Sequence, residues 1–425
     1  MNGNLVDRSR LHWVFLVYLL SLLWLSFSAM AAAIASERSF QNAAIVLLIA
    51  MGTAVVYSFL WRSYNFFSPG FIKPLKKEDR LDGLSLRNNI LLHLLVIAYV
   101  CVVIVHFVFL GRIPILDALG SGSDIAVSVV RQSAYFDLPW YMRYASDYSL
   151  KAVGPALLLI TYYYRSYLFW IITVVGSVYV LGMMARILPI FLFMPLFIYL
   201  LLRRRFYFGA GVFVLMVSLV LLLTTVSSVV LKDNVKESVA QLSSVEKDVA
   251  PPPGARPVVR ELAEQDWRRT SVLYALYERA LVVPGFVMEQ WFHYYSDESL
   301  REEGCGYRLL AKFLNCDYVH IPAKLYAAYY PENVQQGMLG SLNASSFMTE
   351  FANFGFPGFL LSVMFSSVLF FLSALIYGEH SLALPMNLSL IISAMESNFF
   401  TALNSGSGWL IMTMIFVVFF RLKFK

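Results

Sequence analysis

Long apolar runs alternate with short polar connections along most of this chain, and the alternation breaks once. Runs suited to crossing a membrane stand near 12–35, 42–61, 90–110, 150–164, 166–184, 187–202, 206–226, 353–377, 382–397 and 408–420. A spanning helix needs about 20 mostly apolar residues, so the pattern predicts ten spans, and up to twelve. The break is a stretch of roughly 110 charged and aromatic residues from Val226 to Gly337. Three segments follow: an N-terminal bundle over 1–226 with a smaller loop at 111–149, the insert at 227–337, and a C-terminal bundle over 338–425. A protein that only moves a solute rarely needs so large an insert, whereas an enzyme acting on a lipid-linked substrate at the membrane surface does.

The insert has its own pattern. Lys232–Asp248 reads as a polar helix broken by Pro251-Pro252-Pro253-Gly254. A second helix is predicted over Arg260–Val283, ending at Pro284-Gly285. A third, Phe286–Tyr295, sets Glu289 and His293 one turn apart on one face.

Composition agrees with the pattern. The chain is 59% hydrophobic and 14% charged over 425 residues, with mean hydropathy +0.66. So much apolar surface excludes a water-soluble domain and predicts an all-α polytopic membrane protein with a large helical loop. The first run follows Asp7, Arg8 and Arg10 and shows no small-residue cleavage site before Ser36-Glu37-Arg38, so a retained helix is expected.

Charge sets the expected orientation. With the N-terminus inside, the cytoplasmic connections carry fifteen Lys and Arg, among them Lys73, Lys76, Lys77 and the triplet Arg203-Arg204-Arg205. The short external segments carry six: Arg38, Arg112, Arg131, Arg143, Lys151 and Arg186. Inside-positive bias then places both termini in the cytoplasm and the insert outside. The net charge of +6 reflects this topology, and no nucleic-acid partner is expected.

Arginines on the depleted side are the first candidates for chemistry. Arg186 stands in Met183-Met184-Ala185-Arg186-Ile187-Leu188-Pro189, between two apolar runs with almost no polar loop. A charge that close to hydrocarbon is costly unless it meets a polar cavity or a partner. Arg112, Arg131, Arg143 and Arg279 lie in similar places, and guanidinium forks fit phosphate oxygens; snorkelling to headgroups is the plainer alternative. Glu350 and Glu396 lie at the external ends of two runs, as proton-transfer candidates or as structural salt-bridge partners. His293 with Glu289 gives too few ligands for a metal, and no metal site or cofactor is expected. Packing among Trp291, Phe292, Tyr294 and Tyr295 is the plainer fate of His293. Of three cysteines, Cys101 reads as packing within a span. Cys305 and Cys316 share the insert eleven positions apart, as a bridge or as two free buried thiols.

These pieces, in this order, resemble the Wzy-type O-antigen polymerases, bacterial inner-membrane enzymes. The resemblance covers most of the chain after about residue 106. It rests on Gly-Arg112-Ile-Pro-Ile-Leu-Asp117 with Arg131, Tyr-Tyr-Tyr-Arg165 before a run, and Arg186-Ile-Leu-Pro between runs. Glu-Arg279-Ala-Leu-Val-Val-Pro-Gly and the stretch from Asn343 through Glu350 to Phe354-Gly355 complete it. An Arg-x10-Gly spacing found in some members is missing, since Gln290 stands eleven residues after Arg279 and Met142 after Arg131.

The resemblance implies a GT-C-like glycosyltransferase with 111–149 and 227–337 as its periplasmic loops. The growing glycan on undecaprenyl diphosphate would be moved onto an undecaprenyl-diphosphate-linked repeat unit. Membrane lipids, a chain-length regulator and a flippase of the same pathway are the implied partners. In that scheme Arg112, Arg131, Arg186, Arg279, Glu289 and Asn343 bind substrate, while Glu350, with His293 second, takes the hydroxyl proton. Tyr135, Trp140, Trp291 and Tyr294 are candidates for sugar-stacking surfaces, with an interfacial aromatic belt as the plainer alternative. An O-antigen ligase and a flippase or exporter of lipid-linked sugars are the rival readings.

The topology is directly testable. Reporter fusions at Pro252 and Lys425 are expected on opposite faces of the membrane; the same face for both would overturn the orientation and the reasoning from external arginines.

Overall fold

The computed structural model describes residues 12–35, 40–67, 86–120, 130, 134–135, 137–242, 281–335 and 340–421. Among them the regular structure is helical, with no strand. Six stretches are long and apolar enough to cross a membrane: Trp13–Ala35, Gln41–Phe66, Asn88–Leu110, Phe206–Thr224, Phe356–Tyr377 and Phe399–Arg421. This is the architecture of a multi-pass helical membrane protein.

The remaining expected spans form shorter apolar helices. Leu168–Met183, Leu188–Leu202 and Ala383–Glu396 hold 16, 15 and 14 residues. Gly154–Tyr163 holds 10 and continues Trp140–Tyr148 through a π-helical turn at Ser149–Val153. The shortening has a backbone cause. Arg165, Met184 and Arg204 adopt left-handed φ of 53°, 55° and 55°, which end the helices before them. None of the three is glycine, so composition gives no warning.

The insert also departs from its predicted bounds. Phe206–Leu242 is one helix of 37 residues that joins the expected 206–226 span to the polar helix after it. The expected break at Pro284-Gly285 is instead the first turn of the helix Val283–Tyr295. Proline fits there because a first-turn N–H has no helical partner to lose. The expected helix over Arg260–Val283 lies outside the described residues up to position 280.

Two compact units emerge, each discontinuous in sequence. The first comprises Met1–Val17, Phe59–Asn234 and Val368–Lys425; the second comprises Tyr18–Ser58 and Val235–Ser367. In the first unit, Leu188–Leu202 packs against Ala383–Glu396 and Gly154–Tyr163. Asn387, fully buried, fastens this bundle: its Oδ1 accepts from Ser373 Oγ at 2.8 Å and Trp409 Nε1 at 2.7 Å. Its Nδ2 donates to the Ala383 carbonyl at 2.7 Å, so each polar atom is satisfied, as an apolar interior demands. Cys101, expected to pack inside, is exposed on its helix.

In the second unit the insert docks on the first two long helices. Gly285, Met288, Trp291 and Tyr295 are the buried face of Val283–Tyr295, at spacings of three and four. Phe292 meets Phe351 at 5.2 Å between ring centroids, and Phe351 stacks on Phe359 at 5.0 Å. Trp291, expected as a sugar platform, is a core side chain, its Nε1 donating to the Leu342 carbonyl at 2.9 Å. Cys305 and Cys316 form a disulfide, their Cα atoms 6.1 Å apart.

Gly285 sets the closest approach in this unit. A Cβ at that position would lie 2.2 Å from the Ser28 carbonyl oxygen and 2.7 Å from Ala32 Cβ, and the opposing atom is backbone. Gly285→Ala is therefore expected to destabilise the protein by about 1–3 kcal/mol, read as a lower melting temperature in detergent. Gly211→Ala, where a Cβ would meet nothing within 4 Å, should leave it unchanged; equal effects would refute the close-packed interface.

Candidate functional site

The helix that buries Met288 and Trp291 presents a different stripe to a cavity. Gly285, Glu289, Phe292, His293 and Ser296 recur at helical spacing and line a space of about 460 Å³. Ala29, Ala32 and Ala33, from the end of Trp13–Ala35, form an apolar wall with Ile45. Gln41 and Asn42, from the start of Gln41–Phe67, add two amides. Arg301, Phe351 and Phe356 complete the lining. The cavity thus lies where the first two long helices meet the insert. It combines an apolar side with a carboxylate, an imidazole, a guanidinium and amides, the mix expected of a ligand pocket of this size.

Arg301 is held in place by the chain around it. Its Nη1 donates to Glu298 Oε1 at 2.9 Å and its Nε to the Tyr295 carbonyl at 3.4 Å. The guanidinium rests on the turn at Gly355, where φ is +65° and a Cβ would lie 2.7 Å from Arg301 Cζ. Glycine is required there twice over, for the backbone conformation and for the contact. That turn separates the short helix Ser346–Phe354 from the long helix Phe356–Tyr377.

Glu350 lies on the short helix and is 1% exposed. The Tyr307 hydroxyl donates to its Oε1. Burial pushes the Glu350 carboxyl up to about 7, and the bond from Tyr307 opposes that shift. Burial, with the carboxylate beside it, pushes the Tyr307 phenol far above its ordinary range. Around this pair, Gly306 N–H donates to Asn353 Oδ1 at 3.0 Å and Glu302 N–H donates to the Ala352 carbonyl at 3.0 Å. The buried Glu302 carboxylate accepts from Lys324 Nζ at 2.6 Å.

The structure distributes the sequence candidates unevenly. Glu289 and His293 line the cavity together. Glu350 is buried outside its lining, Asn343 is exposed, and Cys305 with Cys316 forms the disulfide. Arg112, in the first unit, bonds Asp137 at 2.9 Å and approaches Asp117 at 3.9 Å. Arg143 Nε donates to the Leu138 carbonyl, and Tyr135 donates to Asp147 at 2.6 Å. Arg186, also in the first unit, is half-buried in the connection between Leu168–Met183 and Leu188–Leu202. Arg131 and Arg279 lie outside the described residues. Sequence reasoning missed Arg301, Gln41, Asn42 and Tyr307. Arg301 hides in the charged run Asp297–Glu303; the glycine at 355, just after a helix, was the available sign that something packs there. Among the described residues no group of three His, Cys, Asp or Glu side chains gathers as metal ligands would.

No family model, curated protein or solved structure matches the chain. The fold is that of a multi-pass helical membrane protein, and the segment between its long helices shares a cavity of mixed polar and apolar lining with the first two of them.

The buried carboxyl gives stability a defined pH dependence. The fold holds the Glu350 proton up to about pH 7, whereas the ordinary value is 4.5. Its contribution is therefore complete below pH 4.5 and fades as pH rises through 7. The full effect is on the order of 3 kcal/mol. The melting temperature of the wild type is expected to fall between pH 5 and pH 8, with a shallower fall for Glu350→Gln. Parallel profiles would show that the carboxyl is already ionised at pH 5.

Proposed function

We propose that this chain is a glycosyltransferase of the multi-pass, GT-C-like kind that polymerises lipid-linked saccharide repeat units at the outer face of a bacterial inner membrane. The observation that carries the reading is the cavity at the ends of Trp13–Ala35 and Gln41–Phe67, where Glu289, His293 and Arg301 face aromatic and alanine walls. A glycan carried on a membrane lipid needs such a site: polar for the sugar, and opening at the ends of helices long enough to cross the bilayer.

The chemistry is displacement at an anomeric carbon. A hydroxyl of the acceptor sugar attacks, the bond from that carbon to the lipid diphosphate breaks, and the diphosphate leaves with the electron pair. The hydroxyl proton passes to a base. His293 takes that role ahead of Glu350, because it lines the cavity, with Glu289 one turn away to orient the imidazole. Glu350 then acts on the geometry of residues 302–307 through Tyr307. Cations hold the departing charge: Arg301 lines the cavity, and Arg131, Arg186 and Arg279 are the sequence's candidates for the diphosphate, two of them, Arg131 and Arg279, outside the described residues.

The lipopolysaccharide ladder tests the reading. A deletion strain is expected to lose long chains and keep a single capped repeat. Complete loss of O-antigen would indicate the ligase or flippase reading instead. His293→Ala and Arg279→Lys should each reduce chain extension by about 100-fold at normal membrane abundance, because lysine lacks the planar fork of arginine. Full-length ladders from Arg279→Ala at normal abundance would refute its role.

A further inference from the structure

The insert carries an apolar surface that the cavity does not use. Helix Arg308–Leu314 exposes Leu309 at 65%, Phe313 at 78% and Leu314 at 54%, and Tyr318 beyond it is 39% exposed. Only Ala311 of this helix is buried. Water would penalise three large apolar side chains on seven residues, so the patch implies a partner.

Two features show where that patch sits. The first is rigidity. The disulfide joins Cys305, ahead of the helix, to Cys316, just after it. Asn315 ends the helix in the left-handed conformation with φ 56°, and the Cys316 N–H returns to the Ala311 carbonyl. The second is depth. Glu302, Gly306 and Tyr307 bond to Ala352, Asn353 and Glu350, on the turn that leads into the long apolar helix Phe356–Tyr377. Leu314 Cδ1 and Phe354 Cε1 stand 2.9 and 3.6 Å from the point where a Gly304 side chain would begin. Phe354 precedes Phe356, itself 61% exposed, by two residues across the turn at Gly355, a separation of at most about 7 Å. The patch therefore lies beside the first turn of Phe356–Tyr377, a helix long and apolar enough to cross a membrane.

We infer that the disulfide-stapled helix Arg308–Leu314 is an interfacial anchor that beds Leu309, Phe313 and Leu314 into the headgroup–acyl boundary of the leaflet on the insert's side. Arg308 and Lys312 stand on the same short helix and suit the anionic headgroups of that boundary. Arg308 also lies over the Tyr318 ring, 5.0 Å from its centroid, which places a cation and an amphipathic aromatic side by side at headgroup level. The anchor fixes the height of residues 302–307 over the bilayer, and it stands whether or not the chain handles saccharides.

The test is photo-crosslinking of the full chain in vesicles of phosphatidylethanolamine and phosphatidylglycerol. A benzophenone amino acid replaces Phe313 in one variant and Leu309 in another; both side chains point outward, so neither change disturbs packing. Irradiation is expected to add a phospholipid mass to the labelled peptide at both positions, with the Cys305–Cys316 bridge intact. Crosslinked dimers would show that a second copy covers the patch and would overturn the proposal. Peptides without lipid adducts at both positions would overturn it as well.

Discussion

Everything in the second unit depends on how the insert is tied to the turn between Ser346–Phe354 and Phe356–Tyr377. Three backbone and side-chain bonds converge there, from Glu302 N–H to Ala352, from Gly306 N–H to Asn353 and from Tyr307 to Glu350. They work because that stretch is buried: a donor or acceptor left without its partner in a dry setting costs more than the bond contributes in water. The same turn supports Arg301 from beneath, through the one backbone conformation only glycine accepts readily. Cavity wall, buried carboxyl and stapled helix are therefore consequences of a single junction.

That junction also explains why the carboxyl at 350 and the imidazole at 293 have different characters. Glu350 faces into protein, where desolvation keeps its proton. His293 stands on the exposed side of a helix whose opposite face is full of aromatic rings. Glu350, the first candidate in sequence, and His293, the second, are separated by the direction in which their helices face.

Much of the architecture was legible in the alternation of apolar and polar residues, because lipid forces each backbone group to bond within its own helix. Each of the six long helices overlaps an expected run, though Gln41–Phe66, Asn88–Leu110 and Phe399–Arg421 extend past the expected bounds. Helix ends were less legible. Those at Arg165, Met184 and Arg204 rest on left-handed backbone at residues with no such preference, and Pro284 reads equally as a stop or a start. In the site, the spacing of Glu289 and His293 gave their shared face, since a four-residue step needs only the helix to be correct. Arg301, Gln41 and Asn42 reach the same cavity from separate parts of the chain, and no local pattern brings them together. Trp291 shows the reverse failure: an aromatic in an extramembrane insert looks like a binding platform until its burial is known.

One helix length has a further consequence. Leu168–Met183 turns Trp170, Val174 and Val178 outward, 62%, 62% and 56% exposed, so this face meets lipid. At 16 residues it is only about 24 Å long, against a hydrocarbon core of about 30 Å. Gln41–Phe67, at 27 residues, is about 40 Å long. The longer helix fits such a bilayer by tilting, whereas the shorter one falls short of it. Where a helix of that length crosses a bilayer, the mismatch is met by a thinner membrane beside it, by snorkelling flanking side chains or by association with neighbours, so acyl-chain length becomes a physical variable of this protein.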